Sequence, residues 1–138
     1  MAHENQRPLI SELRERAKEL NCVYEIENRL NQSDRPQGEV LQEVVEAIPP
    51  GWQYPEICVA EIVLEGQRYE APDFRETPWK LTADIIQQDH VAGTVSVYYV
   101  KEMPPADIGP FLTDEKKLIE TIADRLNHFL TYKKMTHV

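Results

Sequence analysis

The sequence predicts an α+β fold, with an antiparallel sheet between long N-terminal and C-terminal helices. Three observations predict it. Two long stretches, residues 8–31 and 113–133, repeat apolar residues at steps of three and four, the helical period. Between them, 56–66 is a run rich in Ile and Val. Residues 79–87 and 91–101 alternate apolar and polar side chains, the period of a strand with one buried face. The 138 residues suit one domain around one core. Its parts are an N-terminal helix (1–31), a helix-and-sheet core (38–110) and a C-terminal helix (113–134).

In the first helix, Leu9, Ile10, Leu13, Ala17, Leu20, Val23, Tyr24, Ile26 and Leu30 form the apolar stripe. Glu12, Arg14, Glu15, Lys18 and Glu19 form the other side, with charges on neighbouring turns. Pro8 suits a first helical turn, where its missing N–H costs little. Residues 31–36 break the helix. A second helix over 38–48 has Val40, Leu41, Val44, Val45 and Ile48 on its apolar face, and Pro49-Pro50-Gly51 stops it.

The 56–66 strand carries apolar residues on both parities, Ile57, Val59 and Val63 against Cys58, Ala60, Ile62 and Leu64. A strand buried on both faces has this composition, which predicts a central position. Residues 65–67 form a turn and 68–71 a short return strand. Residues 72–78 are polar and flanked by prolines, hence a loop. In the next strand Leu81, Ala83 and Ile85 oppose Thr82 and Asp84. After a turn at 88–90, Val95, Val97 and Tyr99 oppose Thr94, Ser96 and Tyr98, so the two strands make an antiparallel hairpin. Gly93 inside a strand marks a bulge or a close backbone approach. Residues 103–110 form a proline-rich connector. Thr113 is placed as the N-cap of the last helix, with Asp114 and Glu115 in its first turn. Leu118, Ile119, Ile122, Leu126, Phe129 and Leu130 line that helix, and Lys133 and Lys134 suit its C-terminal dipole.

The net charge is −9, from 15 Lys and Arg against 24 Asp and Glu. Such a balance excludes a phosphate-neutralising nucleic-acid face and disfavours an anionic membrane surface. The expectation is no nucleic acid and no membrane as partner. No apolar run approaches the ~20 residues of a spanning helix, and the N-terminus shows no apolar signal core, so a cytoplasmic location is expected. Cys22 and Cys58 make no disulfide framework and are expected as reduced, buried thiols. His3, His90, His128 and His137 are scattered, without metal-ligand spacing, and Asp124–His128 is read as a surface pair one helical turn apart. Glu25 with Glu27 and Glu43 with Glu46 are read as solvated carboxylates. With no nucleophile elbow, phosphate loop or metal-protease motif, the chain is expected to be no enzyme and to need no cofactor or metal.

The order of elements, and two segments in particular, resemble the GAF-like sensory domains of the PAS/GAF superfamily. Residues 110–126 (PFLTDEKKLIETIADRL) resemble the usual ending of such domains, and 91–97 (VAGTVSV) the strand before it. Residues 13–27, 48–55 (IPPGWQYP) and 74–79 (FRETPW) resemble a bacterial and archaeal group found beside histidine kinases and phosphoenolpyruvate synthase-type proteins. The resemblance implies a central antiparallel sheet of about five strands with the N-terminal and C-terminal helices packed on one face, and a sensory or regulatory signal-transduction module, with a histidine kinase or a phosphoenolpyruvate synthase-type protein as possible partner. The alternative is a ligand-free interaction or scaffold module. The chain lacks the cyclic-nucleotide pattern and the bilin-attaching cysteine context of better-known members. It also has only residues 71–79 where others insert helices over the ligand pocket.

Two sets of candidate residues follow. Tyr69, Phe74, Arg75, Trp79 and Tyr99 surround the 71–79 loop and form the candidate site for an unidentified small-molecule ligand, an anion or a planar group. Leu13, Leu20, Val23, Ile26 and Leu30, with Leu126 and Phe129, are the candidate homodimer interface, because the apolar face of the paired terminal helices is wider than one partner needs.

Overall fold

The structure is a computed structural model that describes residues 2–32 and 34–136, with side chains described over 9–32 and 34–135. Three helices and four strands form it: α1 (Ala2–Leu30), α2 (Gln37–Ala47), β1 (Cys58–Leu64), β2 (Gln67–Glu70), β3 (Lys80–Gln87), β4 (His90–Tyr99) and α3 (Thr113–Thr136). Two single 3-10 turns, Pro49–Gly51 and Pro55–Ile57, join α2 to the sheet.

The sheet is open and antiparallel, in the order β2-β1-β4-β3. β1 is central, as its two-sided apolar composition requires. Both hairpins close with two residues at positive φ, Glu65-Gly66 and Gln88-Asp89. This turn geometry matches the right-handed twist of paired strands. The sheet has four strands, not about five. Among the described residues, the 100–112 stretch contributes only an isolated bridge between Ile108 and Phe111. Pro104, Pro105 and Pro110 have no N–H to give a ladder.

Gly93 serves both roles expected of it. The β3–β4 register shifts beside it, between Ile85 and Ile86, and a Cβ at Gly93 would lie 1.9 Å from the Val63 carbonyl oxygen. Glu65 N–H reaches the bulged Ala92 carbonyl at 3.0 Å.

Register sorts the side chains onto two faces. Cys58, Ala60, Ile62 and Leu64 share a face with Val95, Val97 and Tyr99 and with Leu81, Ala83 and Ile85. All ten are buried. α3 lies along β3 and β4, and α2 along β1 and β2. α1 packs on α2, α3 and the 49–51 turn. The resemblance implies both terminal helices packed together on one sheet face; α3 lies on the sheet, and α1 packs on α2 and α3. The reason is in α1 itself. Its inward stripe is short, with Cys22, Ile26 and Leu30 buried, and it fits the crease between α2 and α3.

Boundaries shift where polar groups intervene. α1 extends to Ala2, beyond Pro8. Thr113 is the first residue of α3 rather than its cap: its N–H donates to Asp107 Oδ2 at 2.9 Å. The Leu112 N–H donates to Glu115 Oε1 at 2.8 Å, a capping carboxylate three residues into the helix.

Candidate functional site

The two terminal helices run parallel. Arg16 Nη2 meets Asp114 at 2.7 Å, and Arg125 pairs with Glu27. The ties are eleven residues apart on each helix, in the same sense. α3 therefore begins level with about residue 15 of α1, and the part of α1 before it projects as an arm. Over 9–14 every side chain is exposed. The arm continues into a seam. Ile10, Leu13, Ala17, Leu20 and Tyr24 follow steps of three, four, three and four, the a/d rhythm of a helix that packs on another helix. Ile10 is 55 %, Leu13 62 %, Leu20 73 % and Tyr24 65 % exposed.

The candidate interface read from the sequence joins Leu13 and Leu20 to Val23, Ile26 and Leu30, which lie off the line of the seam. The structure separates the two. Leu13 and Leu20 point outward, and Val23 is half-buried. Ile26, Leu30, Leu126 and Phe129 lie in the chain's own core and are corrected out of the interface. They sit where α1 meets α3, and a fully buried side chain of this size contributes ~1.5–3 kcal/mol there. A distinguishing signal was present in the spacing. The outward residues keep a heptad rhythm from Ile10 to Tyr24, while the inward ones repeat only from Cys22 onward.

Beside the seam lies a groove of about 580 Å³ between α1 and α3. Leu20, Val23 and Tyr24 form one wall, and Leu118, Thr121 and Arg125 the other. A second groove of about 840 Å³ follows toward the helix ends, lined by Leu30, Phe129 and Tyr132 among others.

The expected ligand residues do not converge. Tyr69 lies opposite Ile62 on the helix-facing side of the sheet. Trp79 accepts the Tyr99 N–H at 3.0 Å, and both side chains belong to the same side. Tyr99 is fully buried, stacked on Phe111 at 4.7 Å and edge-on to Tyr54 at 5.5 Å. Phe74 lies on the opposite face, edge-on to Tyr98 at 5.2 Å. Arg75 is exposed and donates to the Val100 carbonyl at 2.9 Å. Strand parity divides these residues: 69, 79 and 99 face the helices, and the loop folds over the other side.

Buried polar groups were less legible. Glu115 is fully buried and accepts from the Gln53 N–H at 2.7 Å as well as from Leu112. It ties the 52–57 connector to the start of α3. Burial pushes its carboxyl above the usual range, against those two hydrogen bonds. Burial also raises the Tyr99 hydroxyl, with Glu115 adding to it. Cys22 and Cys58 are buried free thiols. Burial pushes Cys22 up to about 12 and raises Cys58 as well, so neither offers a thiolate nucleophile. His128 Nε2 is 3.8 Å from Asp124 in an exposed pair. The side chains of His3 and His137 lie outside the described residues. Among the described residues no group of three or more potential ligands is placed to hold a metal ion. No helix among them is long and apolar enough to cross a membrane.

On the open sheet face, Glu61 is only 5 % exposed, 3.3 Å from Arg68, with Ser96 opposite it in the register. Burial raises its carboxyl, Arg68 lowers it, and Glu76 and Glu70 raise it again. A carboxyl raised in the folded state contributes stability that is full below its unfolded value and is lost as pH rises through the folded value. Glu61→Gln is therefore expected to match the parent at roughly pH 4 and to be the more stable of the two at neutral pH. Thermal unfolding at both pH values checks this; a gap that does not grow with pH contradicts it.

No protein-family model, curated protein or solved structure matches the chain.

Proposed function

We propose that the protein is a non-catalytic regulatory module of the GAF-like sensory kind, acting as a homodimer through the exposed seam of α1. The observation that carries this reading is the seam itself. Five positions at helix-packing spacing stand in solvent along α1, and over 9–14, the first of its described side chains, every one is exposed. An unsupported helical segment this short is marginal in water, and an apolar stripe on it gains stability only by being covered. Parallel, ion-paired terminal helices supply a means of transmission. A shift of α1 in the dimer moves α3 through Arg16–Asp114 and Arg125–Glu27. A ligand or partner alters the output only if it binds one helix arrangement better than the other.

The ligand remains a proposal separate from the dimer. With Tyr99 stacked in the core and Phe74 set against Tyr98, what supports the aromatic cluster is packing. This favours the interaction side of the reading, with a histidine kinase or phosphoenolpyruvate synthase-type protein as the possible partner.

Amide hydrogen exchange tests the reading. Backbone amides over 9–24 are expected to be protected at high protein concentration and to lose that protection on dilution, while the β1 and β4 amides stay protected. Exchange over 9–24 that is independent of concentration contradicts it.

A further inference from the structure

We propose that, given the dimer above, the pairing is antiparallel and reciprocal: the projecting arm of each copy lies in the α1–α3 groove of the other, about a two-fold axis near Ala17. Three observations carry it. The apolar positions are spaced nearly symmetrically about Ala17, with Ile10 and Leu13 on one side and Leu20 and Tyr24 on the other. An axis there sets Leu13 against Leu20 of the partner copy and Ile10 against its Tyr24. The two alanines meet at the crossing, where small side chains let helix axes approach closely.

The apolar stripe is also lopsided. Leu9, Arg16, Val23 and Leu30 recur every seven residues along the flank that faces α3. Antiparallel helices bring like flanks together, so Leu9 meets Val23 of the partner copy and the wall supplied by its α3. Parallel helices would turn Leu9 toward the opposite flank, which carries Arg14, Asn21 and Asn28. They would also set arm against arm at a level where neither copy has an α3.

The lengths agree. With the axis near Ala17, residues 7–14 of the arm, ~12 Å at 1.5 Å per helical residue, lie level with residues 20–27 of the partner copy, where its α1 lines the groove. Arg16 flanks the axis in both copies, and its charge is already balanced by Glu19 and Asp114 of its own chain.

Cysteine cross-linking under mild oxidation separates orientation from dimerisation. Cys22 and Cys58 are buried, which keeps them out of the reaction. Ala17→Cys is expected to give a disulfide-linked dimer in either orientation and so reports the dimer alone. A mixture of Leu13→Cys and Leu20→Cys chains is expected to give at least about tenfold more cross-link than either variant alone. In the antiparallel arrangement residue 13 lies level with residue 20 of the other copy to within ~1.5 Å, but ~12 Å along the axis from its own counterpart. If Ala17→Cys cross-links and Leu13→Cys alone does so as well as the mixture, the antiparallel arrangement is overturned and the dimer stands. If Ala17→Cys gives no cross-link while circular dichroism shows the fold intact, the dimer fails and the arrangement with it.

Discussion

Placing glutamate at both Leu13 and Leu20 is expected to leave the fold standing and to abolish the dimer. Both side chains are mostly exposed within the chain, at 62 % and 73 %. Surface changes of this kind alter monomer stability by only about 0.5 kcal/mol. In the two-fold arrangement the same changes strike the interface four times. Each removes a buried leucine worth ~1.5–3 kcal/mol and places a charge in its position. A loss of ~4 kcal/mol is already about a thousandfold in dissociation constant. Circular dichroism and thermal unfolding check the fold, and sedimentation the mass. A variant that still dimerises moves the interface away from α1, and a variant that unfolds shows that the seam serves the chain's own core.

Gly93→Ala is expected to act in the opposite way, destabilising the fold itself. The added Cβ would lie 1.9 Å from the Val63 carbonyl oxygen and within 3.0 Å of the Leu64 Cα. Both are backbone atoms of the central strand, so no side-chain rotation relieves the contact. Either the β1–β4 ladder opens beside the bulge or β4 shifts as a whole. The loss is ~3 kcal/mol or more, at the upper end of overpacking effects, and the midpoint of thermal unfolding falls by roughly 10 °C. An unchanged midpoint would mean that the β1–β4 approach at this point is not as close as described.

Much of the fold was legible because its pattern is local. The period-two alternation of 79–87 and 91–101 gave the hairpin, and the two-sided apolar run of 56–66 gave the central strand. Gly93 announced its own bulge. The count of strands failed because the fifth strand had no residue pattern behind it, only the resemblance, and the prolines of 103–110 stood against it.

Inside and outside on α1 failed for a different reason. A helix with two apolar stripes does not say which one its own chain covers. The answer depends on where α3 begins relative to α1, and that follows from tertiary ties such as Arg16–Asp114, 98 residues apart in the chain. The aromatic cluster was misgrouped by the same kind of long-range fact. Tyr69, Trp79 and Tyr99 are near Phe74 and Arg75 along the sheet, but the pleat sends them through to the other side. Glu115 had no capping signal in the sequence, because the residue three before it is Leu112 rather than a Ser or Thr, and its bond from the Leu112 N–H is visible only in the structure. Its second partner, the Gln53 N–H, comes from a segment that the sequence pattern did not bring near it.

The solution mass of the unmodified chain tests the central claim most directly. Light scattering or sedimentation equilibrium at tens of micromolar is predicted to give twice the 16.0 kDa chain mass. A mass of 16.0 kDa, unchanged as the protein is concentrated further, would contradict the account.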